Sequence, residues 1–433
     1  MLAGAAFLGE CLEFLINMIL ARELGEKGMG LYMAILPIIF LTFVLASLEL
    51  PISISKFVAE KDKQYHRSLL YHAGRIVIFL IAFLTILAVI TLPIIPIFHQ
   101  YHPYIRWLVV ILIPIISLSS IARGYFMGIQ QMGKIAFSNF LRNGVQLLLL
   151  AILFRLFQFE AETALFIALC TLVGSELFVF FYLLYAFIVQ FQQIKHEQHT
   201  QLSGKAVRKY LFTISLPATG LRIFHAVTNA IQPFLIIGVL KISGLTETVA
   251  TEHFGMLAGV AMTVGFFPIF IAHSLLIVLI PTVSEAYAKK DFSKLHKLLQ
   301  QVMLITFLYG IPAIFIFHYF SRPLANLFFD SLYAAHYLEM LWPFFLFHYF
   351  VFPLQAFLIG FGLMKDALYH GIWATVAGFT MIYVLGSQPS FQMEGIIIGM
   401  NMEAVLLTMM HYVTVCKKLS ISLTLKKQVN SYY

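Results

Sequence analysis

Arg222, His225, Asn229 and Gln232 recur every three or four residues. At 100° per residue they fall within an arc of roughly 80°, one polar stripe on one helix face. Glu10, Glu13 and Asn17 share a face in the same way. The two sets offer complementary chemistry. A guanidinium binds phosphate oxygens through two parallel hydrogen bonds, so Arg222 is a candidate contact for a phosphate-bearing anion. Arg22 is either a second such contact or an interface anchor. The carboxylates of Glu10 and Glu13, with Asn17 beside them, could hold a monovalent cation, and so could Glu176. Glu176 is equally readable as the ion-pair partner of Arg222, because the segments that carry them adjoin. Matching Gly25 to Gly244 sets Glu10 and Glu13 opposite Asn229 and Gln232, as expected if one unit occurs twice. Such stripes either line a water-filled cavity or bond one another and hold the bundle together.

These groups must be positioned by a membrane bundle. The chain is 61% apolar, 15% aromatic and only 11% charged, which excludes an ordinary soluble domain. About 20 residues span a bilayer core, and the apolar runs predict twelve spans. They lie near 1–20, 31–54, 73–97, 106–127, 135–157, 163–190, 210–240, 254–281, 298–320, 335–361, 368–386 and 394–415. The fold class is therefore an all-α integral membrane protein. Its expected parts are six-helix bundles at 1–190 and 210–415, a connection at 191–209 and a tail at 416–433. The even-numbered connections and the tail hold nineteen lysines and arginines and the odd-numbered ones six, which places both termini in the cytoplasm. An even number of helices per half gives both halves one orientation, related by an axis along the membrane normal with a cavity between them.

The excess of 28 basic over 20 acidic residues suits cytoplasmic loops and anionic lipid headgroups rather than nucleic acid. Cys11, Cys170 and Cys416 lie in or beside apolar runs and imply no disulfide framework. The first span lacks a charged leader and cleavage site and is expected to be a membrane helix, not a signal peptide. Gly25-Glu26-Lys27-Gly28-Met29-Gly30 lacks the Gly-Lys-Ser/Thr ending of a phosphate loop, and no metal-ligand cluster or cofactor motif appears. His348, His411, Asn401 and Glu403 are further intramembrane polar groups, with the histidines expected to be hydrogen-bonded core residues.

The duplication is visible as sequence. Phe254 to Asp291 reads FGMLAGVAMTVGFFPIFIAHSLLIVLIPTVSEAYAKKD, and the apolar run opened by Gly30-Leu31-Tyr32 ends in LPISISKFVAEKD. Laying Pro51 on Pro281 brings Asp62 to within one residue of Asp291. The second span is expected to stop at Ile280-Pro281 in the later copy. These two runs, with Arg123-Gly124-Tyr125-Phe126-Met127-Gly128 at the end of the fourth span, resemble the stage V sporulation protein B branch of the multidrug/oligosaccharidyl-lipid/polysaccharide (MOP) superfamily. That superfamily also holds the MATE exporters and the MurJ lipid II flippases. The resemblance implies a MATE-like fold and transport of a lipid-linked cell-envelope precursor.

Two positions depart from the family pattern. Glu49 stands where the family tends to have a small residue before Leu/Ile-Pro. On the fifth span a Glu followed four residues later by an Arg is replaced by Arg142 and Gln146, which adds Arg142 to the candidate substrate contacts.

Four function classes remain. The first is a flippase for a lipid-linked oligosaccharide or peptidoglycan-type precursor, expected to act as a monomer among membrane lipids. The second is a MATE-type, cation-coupled exporter of amphipathic molecules, favoured by Glu10 and Glu13 and opposed by Arg222. The third, a membrane enzyme, would need a sizeable loop or domain that this chain lacks, so no catalytic residue is assigned. The fourth is a scaffold without transport.

Overall fold

The computed structural model describes residues 2–94, 98, 100–195, 200–328 and 331–425. Residues 196–199 of the expected connection and 426–433 of the expected tail, with Lys426 and Lys427, lie outside the described residues. Twelve helical runs among the described residues are long and apolar enough to cross a membrane. This is the expected number, but the chain is divided differently.

The first two spans run together as α1 (Leu2–Ser47) but are two helical segments joined by a kink at Gly25, whose φ of 66° and ψ of −178° are open to glycine alone. Helix α1 ends because Pro51 has no N–H to offer the Ser47 carbonyl. The chain then turns through Leu48 and Glu49, both left-handed at φ 47°, into α2 (Leu50–Glu60) with Pro51 in its first turn. The Ala46 carbonyl freed at this end accepts from the Ser117 hydroxyl at 2.8 Å.

Helices α3 (Lys63–Thr91), α4 (Ile105–Gly128), α5 (Met132–Leu156), α6 (Ala161–Lys195) and α7 (Gly204–Ile242) follow. The eighth expected span is built in pieces: α8 (Glu247–Gly255), a π-helical turn (Met256–Ala261), α9 (Met262–Phe266) and α10 (Ile269–Ala288). The expected stop at Ile280-Pro281 is not where this run breaks. Helix α10 continues through Pro281 to Ala288, and the break falls at Phe267-Pro268. A proline inside a helix removes one ladder bond, which neighbouring packing can absorb; here the chain yields at Pro268 instead. The remaining helices are α11 (Phe292–Tyr319), α12 (Ser321–Ala325), α13 (Leu332–Met340), α14 (Trp342–Gly360), α15 (Met364–Gly386) and α16 (Gln392–Leu419).

The duplicated motifs are packing motifs. In the first copy, Gly124 and Gly128 of α4 let α2 approach closely. A Cβ on Gly124 would lie 2.8 Å from the Cα of Pro51 and 2.9 Å from the Cβ of Ile54. In the second copy, Gly360 of α14 meets α10 in the same way, and a Cβ there would lie 2.6 Å from Val283. Each contact seeds its own core. One gathers Leu50, Ile54, Leu69, Phe126 and Leu183; the other gathers Val283, Leu295, Leu299, Leu354 and Phe357. Asp62 and Asp291 stand at the N-cap position of the next helix in each copy, and the Asp291 side chain accepts from Lys294 N–H at 2.9 Å. Gly124→Ala is therefore expected to destabilise the protein by about 1–3 kcal/mol through overpacking. Gly144→Ala, which meets nothing within 4 Å, should be silent; thermal midpoints in detergent compare the two.

The chain clusters into two compact units whose boundary is not set by chain order. One comprises Met1–Gly30 with Gln232–Tyr433 and the other Leu31–Ile231. The reason is local to the first unit. Gly30 and Gly255 carry backbone in close contact, a Cβ on Gly259 would enter Met29, and Phe14 stacks edge-on against Phe267 at 5.5 Å. The start of α1 thus packs with the later helices of the chain.

Candidate functional site

Two ion pairs organise the polar interior of the unit Leu31–Ile231. Arg222 on α7 donates through Nη1 to the Oε1 of Glu49, at the left-handed break between α1 and α2. The guanidinium also lies 5.8 Å from the centre of the Phe40 ring, within cation–π range. The partners differ in exposure: the Glu49 side chain is 5% exposed and that of Arg222 48%. A buried carboxylate thus holds a guanidinium that is itself about half exposed. His225 and Asn229, also exposed, continue the stripe from Arg222 and make no hydrogen bond among the described residues. Gln232 is half-buried and belongs to the other compact unit.

The second pair joins α5 to α6. Nη1 of Arg142 lies 3.6 Å from Oε1 of Glu176, again with a buried carboxylate (5% exposed) and a partly exposed arginine (39%). Arg142 Nε also donates to Asn143 Oδ1 at 3.1 Å. Arg123 at the end of α4 feels the charge of both and donates to Asn139 Oδ1 at 3.0 Å. Gln146, one turn beyond Arg142, donates to the Tyr32 hydroxyl at 3.5 Å.

The expected pairing of Glu176 with Arg222 is therefore corrected: Glu176 pairs with Arg142 and Arg222 with Glu49. Adjacency along the chain was a poor guide because α6 and α7 are long helices, and helix packing decides which faces meet. The two departures from the family pattern, Glu49 and Arg142, are the residues that complete these pairs. Glu49 was absent from the expected site. Its signal was plain in the sequence, an ionisable side chain just before Leu-Pro in an apolar run.

In the other unit, Asn17 donates to Thr263 Oγ1 at 3.3 Å, tying α1 to α9. Glu10 is half-buried and Glu13 exposed on the same segment. Arg22 donates through Nε to the Leu327 carbonyl at 2.9 Å, an anchoring bond at the end of the helix. The four further polar groups expected within the membrane are bonded inside the bundle. Asn401 donates to Met340 O at 3.0 Å, Glu403 accepts from Thr375 at 2.9 Å, His348 lies 3.1 Å from Phe344 O, and His411 lies 3.1 Å from His370. No group of three or more metal-ligating side chains occurs among the described residues.

A buried glutamate holding a half-open arginine, repeated in one bundle, suits the binding of an anion. Residues 1–287 match the family model described as polysaccharide biosynthesis protein, and residues 256–384 match the MatE model. Stage V sporulation protein B of Bacillus subtilis (strain 168) is 31% identical over 442 residues, covering 100% of this chain and 85% of that protein. The chain belongs to the MOP superfamily, in the stage V sporulation protein B branch. Sporulation protein YkvU of the same organism is 54% identical over 425 residues, covering 98% of this chain and 96% of its own length.

The fold of the MOP family is shared with structures of much lower identity. A multidrug resistance MATE family transporter in its inward-facing conformation superposes with a TM-score of 0.75 at 18% identity, over 97% of this chain and 96% of that one. A MOP superfamily transporter from Pyrococcus furiosus gives 0.65 at 17%, over 98% and 95%. This is a multi-pass bacterial membrane protein of a transporter superfamily.

Proposed function

We propose that this chain is an alternating-access flippase that carries a lipid-linked oligosaccharide or peptidoglycan-type precursor across the cytoplasmic membrane, in cell-envelope or spore-cortex synthesis. The observation that carries this reading is Arg222, held by the buried Glu49 with half its surface open. A diphosphate headgroup would meet that guanidinium through its free N–H donors, with Arg142 as a second contact and His225 and Asn229 for sugar hydroxyls. Buried carboxylates position both arginines before substrate arrives, which lowers the ordering cost of binding. The repeats at 1–190 and 210–415 rock about the headgroup while the lipid tail stays in the bilayer, with both termini cytoplasmic. No bond is made or broken. Glu10 and Glu13 are the proposed cation-coupling groups, with Asn17 beside them; Glu176 is reassigned to positioning Arg142. Arg22 is proposed as an anchor. The names of the two Bacillus relatives support a role in sporulation.

The exporter alternative draws on the MatE match at 256–384 and on the acidic face of α1. Two assays separate them. The flippase should translocate a fluorescent undecaprenyl-diphosphate-linked sugar in proteoliposomes and leave cationic dyes in place. A cation exporter should extrude dye under a proton or sodium gradient and lose that activity in Glu10→Gln/Glu13→Gln.

A further inference from the structure

On α3, His72, Arg75, Ile76 and Phe79 follow the three- and four-residue spacing of a single face, and on α7 Arg208 and Phe212 lie one turn apart. These six residues line a groove of about 470 Å³ within the unit Leu31–Ile231, between α3 and the first turns of α7. A larger cavity of about 700 Å³ adjoins it across His72 and includes Arg67 and Tyr71. The groove is polar at one end and apolar at the other. Arg75 is fixed by Tyr71, donating to its hydroxyl at 2.5 Å and lying 4.6 Å over its ring. Arg208 donates to Gly204 O at 3.3 Å, and His72 lies 3.2 Å from Leu202 O. Among the described residues, neither arginine meets a carboxylate. Phe79, one turn along α3 from Arg75, is 74% exposed, as a ring facing acyl chains would be.

We propose that this groove binds an anionic phospholipid. The two uncompensated arginines take the phosphodiester, and Ile76, Phe79 and Phe212 take the start of an acyl chain. Charge complementarity selects the occupant. A zwitterionic headgroup brings its own cation, and inorganic phosphate has nothing to lay against the rings. The site is separate from Arg222 and Arg142 and stands whether or not the chain is a flippase.

The test is the thermal midpoint of the full chain in neutral detergent with added phosphatidylglycerol, phosphatidylcholine or inorganic phosphate. Phosphatidylglycerol should raise it by about 4 °C and the other two by less than about 1 °C. Arg75→Gln/Arg208→Gln should lose most of that rise, while Lys289→Gln/Lys290→Gln, which removes the same charge elsewhere, should keep it. An equal rise with phosphatidylcholine or phosphate overturns the proposal, as does an equal loss in the lysine control. Should the double arginine variant fail to fold, Arg208→Gln alone is read: about half the rise should go, and an undiminished rise overturns the site.

Discussion

Arg222→Ala is expected to stop headgroup translocation and to destabilise the protein by about 1–3 kcal/mol, the cost of leaving a buried carboxylate without its partner. Glu49→Gly should abolish transport as well but cost far less stability. The asymmetry follows from burial. Losing Arg222 strands the carboxylate of the buried Glu49 without its cation. Losing Glu49 leaves a guanidinium that is already half solvated. Glycine also relieves the backbone, since Glu49 sits at φ 47°, a left-handed conformation that costs a residue with a Cβ roughly 1–2 kcal/mol. The Arg222→Ala/Glu49→Gly double variant should therefore be more stable than Arg222→Ala alone, with the two changes coupled rather than additive. Denaturation of the four proteins in one detergent measures this. Additive losses would mean that the pair contributes nothing as a pair.

Arg142→Ala is expected to lower the translocation rate by about 10- to 100-fold, the effect of one charge-assisted hydrogen bond of about 1.5–3 kcal/mol. Arg142→Lys should recover only part of it, because an ammonium cannot hold a carboxylate and a phosphate in the planar fork that guanidinium offers. Glu176→Gln should keep the arginine but release it from α6, weakening substrate binding, while Arg142 Nε still donates to Asn143 on its own helix. Initial rates over a range of lipid concentration check both. An Arg142→Ala protein that transports at the parental rate would remove this residue from the substrate path.

Much of the architecture was legible because it rests on composition and spacing. Hydropathy alone counts the spans, whereas the close approaches at Gly124, Gly128 and Gly360, where no Cβ fits, come from the structure. The break at Phe267-Pro268 was not legible against Pro281, because both prolines carry the same local signal and packing decides which helix yields. Nor was the pairing of charges. Glu176 and Arg222 adjoin in the chain, but α5 lies against α6 and brings Arg142 to Glu176 instead. The stripe of Arg222, His225 and Asn229 is readable from spacing, and all three residues are exposed. That Arg222 is held from outside the stripe, by Glu49, depends on a helix break in another part of the chain.

The most direct test of the flippase assignment is the initial rate of headgroup translocation for fluorescent undecaprenyl-diphosphate-linked sugar in proteoliposomes, with the wild type beside Arg222→Ala. Rapid translocation by the wild type and loss in the variant, at equal amounts of folded protein, is the predicted result. A wild type that moves no lipid under any ion gradient or membrane potential would contradict it, and so would a variant that moves lipid at the wild-type rate.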